Sequence, residues 1–100
     1  MSTDTILRNK IITDLKEPSK FRVIYMNDEI TTMEFVVESL IIVFAHSRDT
    51  AHELTQRIHA EGSAVVAVLP YEIAEQKGIE VSIMAKRHGF PLVVKLEADG

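Results

Sequence analysis

Residues Phe21 to Phe44 read FRVIYMNDEITTMEFVVESLIIVF, and this stretch decides how the rest of the chain is arranged. Phe21, Val23 and Tyr25 alternate with Arg22, Ile24 and Met26, a β-branched and aromatic run that predicts a strand. Asn27, Asp28 and Glu29 interrupt it with three polar side chains suited to a turn. Thr31 is followed three residues later by Glu34, the spacing of a capping box, in which hydroxyl and carboxylate each take a free N–H at a helix start. Ile30, one residue earlier, predicts a hydrophobic staple on the first turn. Met33, Val36, Val37, Leu40, Ile41 and Phe44 recur at helical spacing and predict one buried face. An acidic turn held between a strand and a firmly started helix is where a binding site is expected.

N-terminal to this stretch, residues 1–20 are polar, end in Glu17-Pro18-Ser19-Lys20, and offer only Leu7, Ile11 and Leu15 at helical spacing. A lone helix that short is barely stable in water. The segment predicts a flexible arm, either a frayed terminus or a tether that orders on a partner. On the other side, Ala45-His46-Ser47 closes the first helix, and Ser47 suits the N-cap of a second. Ala51, Leu54 and Ile58 mark that helix's buried side, with Thr55 or His59 at the edge, and Gly62 suits its left-handed end. Ala64 to Leu69 is valine-rich and too short for an ordinary buried helix, which predicts a strand.

Pro70 fits the first turn of a third helix, expected from about Tyr71 to His88. Ile73, Lys77, Val81 and Met84 form its stripe, with Ala74 and Ala85 beside it. Gly78 weakens that helix by roughly 1 kcal/mol relative to alanine. Gly89 and Pro91 stop it, and Leu92 to Leu96 predicts a last strand. The expected fold is α+β, with a three-stranded antiparallel sheet packed against three helices in residues 21–100, preceded by a flexible N-terminal arm in residues 1–20. The order of elements alone leaves the strand directions open.

Composition narrows the function. One hundred residues make one domain. Fifteen acidic against eleven basic residues give a net charge of -4, which argues against a nucleic-acid partner, since such binding neutralises phosphates with clustered lysine and arginine. The chain has no cysteine, so it has no disulfide framework, thiolate zinc site or thiol nucleophile. No signal peptide or membrane span is visible, and a soluble monomer of the cytoplasm is expected. His52-Glu53 begins like a zinc-protease helix, but Gln56 stands where the second histidine is needed. Of His46, His52, His59 and His88, His52 and His59 are seven apart and share a helical face, but no acid or cysteine at ligand spacing completes three or four ligands. No serine lies in a nucleophile elbow, and no glycine-rich loop is present to cradle a phosphate. Neither catalysis nor a cofactor is expected.

The acidic turn, taken with His59, suits an ammonium group. Asn27 offers a carbonyl acceptor, Asp28 and Glu29 offer carboxylates, and a neutral imidazole offers an acceptor nitrogen. Met33, Val36, Ile58 and Leu92 provide apolar neighbours, and the thioether of Met33 can adapt its shape to a bound side chain. Read alone, such a turn is more often solvated loop and such apolar residues more often core. An ammonium sink beside an apolar cavity is, however, a receptor for the first residue of a peptide.

The motif N-D-E-I-T-T-M-E-F-V after a hydrophobic strand resembles the signature of the ClpS adaptor family. So do Ile58-His59-Ala60-Glu61-Gly62, Tyr71 to Lys77, and Ala85 to Pro91-Leu92. The resemblance runs from Phe21 to Glu97. It implies a non-catalytic adaptor that binds proteins with an N-terminal leucine, phenylalanine, tyrosine or tryptophan and hands them to a Clp unfoldase and its peptidase. By position, it assigns the α-amino group to Asn27, Glu29 and His59, with Asp28 in the same turn. It assigns the side-chain pocket to Thr31, Met33, Val36, Thr55, Ile58 and Leu92, with Met33 as the gate against β-branched residues. Glu72 and Lys77 match the face that docks on the N-terminal domain of the unfoldase, of ClpA or ClpC type. The arm matches an extension used in delivery.

Three positions depart from the family pattern. Glu29 stands for a second aspartate, Thr32 for a proline, and Thr55 for a frequent methionine. Thr32 is expected to lose preorganisation that the Thr31–Glu34 box makes good. Thr55 is expected to alter the ranking among first residues. The competing class is a protein–protein interaction domain of similar build, like the C-terminal domain of the ribosomal stalk protein, which needs no amine site.

Overall fold

The computed structural model describes residues 19–100. The predicted arm lies outside the described residues except for Ser19 and Lys20, and Lys20 already belongs to the first strand. The elements follow as β1 (Lys20–Met26), α1 (Met33–Phe44), α2 (Arg48–Glu61), β2 (Ser63–Pro70), α3 (Tyr71–Arg87) and β3 (Val93–Ala98). The sheet has the order β2-β1-β3, and β1 pairs antiparallel with both neighbours. The fold is therefore the expected α+β domain, a three-stranded antiparallel sheet against three helices.

β1 is the central strand, and its Val23 and Tyr25 are completely buried. They meet Leu40 and Val43 of α1, Ala51 and Ile58 of α2, and Val81 of α3 in one core. Val65, Val68 and Val93 are partly exposed on the strands, as suits an antiparallel sheet with one solvated side. The β1/β2 register slips between Val23 and Ile24, where Val23 faces Ala67 and Ile24 faces Val65. Val66 is the extra residue of this bulge, and its carbonyl oxygen lies 2.7 Å from His46 Nε2. Because a carbonyl only accepts, His46 must carry its proton there.

Tyr25 brings a hydroxyl into the core, and Ser39 satisfies it. The Tyr25 hydroxyl lies 2.8 Å from Ser39 Oγ, which itself donates to Val36 O at 2.8 Å. The Ser39 proton is thus committed, so the tyrosine is the donor of the pair. Burial pushes the Tyr25 phenol well above its ordinary value, although the Ser39 bond pulls the other way.

The start of α1 departs from the sequence reading by one residue. Thr32, not Thr31, is the N-cap, and its hydroxyl accepts from Phe35 N at 3.2 Å. Thr31 is unavailable because its N–H and its hydroxyl both donate to the Asp28 carboxylate. No staple forms either, since Ile30 is 64% exposed. The threonine in place of proline therefore starts the helix itself. The buried face of α1 includes Phe35, Ser39 and Val43, whereas Met33 is half-exposed. α1 packs against both α2 and α3, which widens its covered side beyond a single stripe.

α2 begins and ends as read, with Ser47 Oγ accepting from Thr50 N at 3.1 Å and Gly62 in the left-handed region. Pro70 closes β2 and serves as the N-cap of α3, one residue ahead of the predicted first-turn position. The stripe of α3 is also rotated. Ala74, Gly78, Val81 and Ala85 are buried, and Ile73 is exposed. Gly78 packs toward β3, where an added Cβ would meet Val94 Cγ1 at an ordinary 3.6 Å.

Candidate functional site

The turn after β1 is built by Asp28. One carboxylate oxygen accepts from Ile30 N at 2.8 Å and Thr31 N at 2.6 Å, and the other accepts from the Thr31 hydroxyl at 2.7 Å. Partial burial works against the charge of this carboxyl, but the bonds from Thr31 and Ile30 outweigh it and hold the pKa below the ordinary value. Such wrapping by N–H and O–H donors is how a carboxylate is kept ionised. Asp28 therefore shapes the turn with the same oxygens that the sequence offered to an ammonium.

A backbone bond fixes where this turn sits. Asn27 N donates to Gly62 O at 2.9 Å, one step beyond the Met26–Ser63 pair that ends the β1/β2 ladder. Gly62 follows the last turn of α2, and His59 lies in that turn. Asn27, Asp28, Glu29 and His59 consequently border one cleft of about 460 Å³. Its walls are Thr31, Met33 and Val36 from the start of α1, with Thr55 and Ile58 from α2. Val36, Thr55 and Ile58 are buried, and Met33 stands half-exposed at its edge. Acceptor side chains and the apolar side chains of Met33, Val36 and Ile58 thus line one cleft.

Leu92 is buried in the core and does not line this cleft. Glu72 is exposed in the first turn of α3. Lys77 is half-buried, and its ammonium donates to Val43 O at 2.8 Å while lying 6.0 Å from the centre of the Phe44 ring. The last turn of α1 has no basic residue of its own, so Lys77 supplies the positive charge that a helix C-terminus favours. It clamps α3 onto α1, a role the sequence did not reveal.

A second groove, of about 510 Å³, lies between α1 and α2. It shares Met33 and Thr55 with the cleft and adds polar residues, among them Glu34, His52 and Gln56. Glu38 and Arg48 bridge it with an ion pair of 3.1 Å. Its existence depends on how two helices diverge, which no residue spacing records. Among the described residues, no group of three or more His, Cys, Asp or Glu is placed to hold a metal ion, and no helix is long and apolar enough to cross a membrane.

Comparison with known proteins shows the family of this chain. Residues 16–95 match the family model of the ATP-dependent Clp protease adaptor protein ClpS. The ClpS adapter of Acetivibrio thermocellus is 39% identical over 99 residues, covering 99% of this chain and 100% of that protein. That of Helicobacter hepaticus is 42% identical over 93 residues, covering 93% and 94%. Among solved structures, Agrobacterium tumefaciens ClpS2 bound to L-phenylalaninamide superposes with a TM-score of 0.80 at 38% identity, covering 83% of this chain and all of that one. The chain belongs to the ClpS family of Clp protease adaptors, whose members are adaptors rather than enzymes. Membership also decides against the ribosomal-stalk-like alternative.

Proposed function

We propose that this protein captures other proteins by a free α-amino group and a bulky first side chain (leucine, phenylalanine, tyrosine or tryptophan), and delivers them to a Clp unfoldase and peptidase. The observation that carries this reading is the single cleft in which Asn27, Glu29 and His59 stand beside the chamber of Met33, Val36, Thr55 and Ile58. An ammonium has three donors and no acceptor, and these three side chains supply acceptors of matching number. Asp28 adds charge and holds the turn. The A. tumefaciens relative supports the assignment, because its ligand, L-phenylalaninamide, is a first residue with a free amine and a blocked carboxyl end.

Met33, half-exposed beside the cap, screens out β-branched first residues, and Thr55 adjusts the ranking among those admitted. The exposed first turn of α3 with Glu72 offers a docking face for the N-terminal domain of a ClpA- or ClpC-type unfoldase. In this reading Lys77 supports that face by holding α3 in place, and the arm of residues 1–20 serves delivery. Reconstituted degradation tests the whole reading. The protein should accelerate breakdown of a leucine-initiated reporter by such an unfoldase–peptidase and leave a valine-initiated twin unaffected. Equal effects on both reporters, or none on either, would refute it.

A further inference from the structure

Thr55 brings an oxygen to the part of the cleft walled by Met33, Val36 and Ile58. Its side chain is buried, and its hydroxyl donates to Ala51 O at 2.7 Å, one helical turn back. A hydroxyl has one proton and two lone pairs. With the proton committed to Ala51, Thr55 Oγ1 is an acceptor only, and among the described residues no side chain donates to it. Thr55 and Met33 line both the cleft and the second groove, which Glu34, His52 and Gln56 also line.

We propose that Thr55 Oγ1 accepts a hydrogen bond from the phenol of an N-terminal tyrosine, so that this protein prefers tyrosine to phenylalanine as the first residue. The inference rests on the reading that the cleft takes an N-terminal residue, and adds to it the direction and the atom of the preference. Phenylalanine and tyrosine differ by one hydroxyl at the tip of the ring. A phenol placed beside Thr55 donates to its Oγ1, while its own oxygen faces the neighbouring groove of Glu34, His52 and Gln56. A phenylalanine ring in the same place leaves the acceptor without a donor and displaces any water that served it. Sites that pair a polar group of their ligand discriminate against the analogue lacking it for this reason. A methionine here would lack that oxygen, so the preference belongs to this chain's own threonine.

The experiment measures dissociation constants of peptides identical except for the first residue, tyrosine or phenylalanine, each with a free and an acetylated amine. The wild-type protein should bind the free tyrosine peptide about 3- to 10-fold more tightly than the phenylalanine one, the range of one net hydrogen bond. In Thr55→Val, which keeps the branched shape and removes the oxygen, that ratio should fall to one or below. In Thr55→Ser, which keeps the oxygen, it should stay above one. Far-UV circular dichroism of both variants checks that the fold is retained. A wild-type ratio at or below one overturns the inference, as does a ratio that survives in Thr55→Val. If free phenylalanine binds without tyrosine preference, the proposed function stands and only this inference fails. If neither free peptide binds, both fail.

Discussion

The amide of Asn27 donates to the carbonyl of Gly62 at 2.9 Å, and Gly62 stands at φ 89° directly after α2. This one bond sets the acceptor-bearing turn against the helix end that carries His59. Nothing lies within 4 Å of the position a Cβ would take at Gly62, so replacement there meets backbone strain and no clash. Gly62→Ala should cost about 1–2 kcal/mol and weaken capture of a leucine-initiated peptide, because relief of the strain moves the carbonyl that holds Asn27. Urea unfolding read beside peptide titration checks both effects.

Two further positions carry the wrong residue for their backbone, in opposite senses. Ala45 ends α1 at φ 56°, a left-handed conformation that glycine takes without strain. Gly78 lies inside α3, with room for a methyl group at 3.6 Å from Val94. Ala45→Gly and Gly78→Ala should each stabilise the protein by about 0.5–1 kcal/mol. The sites lie on different helices, and the double variant should show the sum in its thermal midpoint.

The Tyr25–Ser39 pair should respond asymmetrically. Ser39→Ala leaves the Tyr25 hydroxyl buried without its partner and should cost about 1–3 kcal/mol. Tyr25→Phe leaves Ser39 still donating to Val36 O, and should cost about 1 kcal/mol. Denaturant midpoints that rank the two variants in the reverse order would contradict the assignment of tyrosine as donor.

Asp28 should make the turn acid-sensitive. Its pKa is lowered in the folded chain, so the unfolded state binds its proton first as pH falls. The stability it contributes is therefore complete above the ordinary aspartate value, about 3.9, and is lost as pH falls through the lower folded value. Asp28→Asn should flatten the stability–pH curve in that acid window relative to wild type and leave the curve above it parallel.

Most of the fold was legible because two periods do not overlap. Val23 and Tyr25 alternate, whereas Val36, Val37 and Leu40 recur at helical spacing, and both patterns reached the core. The errors have a common physical origin in local competition and missing signal. Thr31 and Thr32 are equal candidates for a cap until the Asp28 carboxylate takes Thr31. Gly78 carries no hydrophobic signal, so a stripe read through Ile73 omits a glycine that faces β3.

The candidate site was legible chiefly through family motifs, since Asn27 and His59 are far apart in sequence and are brought to one cleft by the β1/β2 pairing and the bond from Asn27 N to Gly62 O. Leu92 is buried in the same core as Val36 and Ile58. Lys77 reads as a surface cation until the α1 carbonyl it bonds is seen.

The central claim is that one cleft reads an ammonium and a side chain together. Titration of a fluorescent leucine-initiated peptide, alongside its N-acetylated twin, tests it most directly. Acetylation removes the charge and two of the three amine donors while leaving the leucine side chain intact. The account predicts saturable binding of the free peptide and loss of binding for the acetylated one. Equal binding of the two would contradict it, because the turn of Asn27 and Glu29 with His59 would then play no part in recognition.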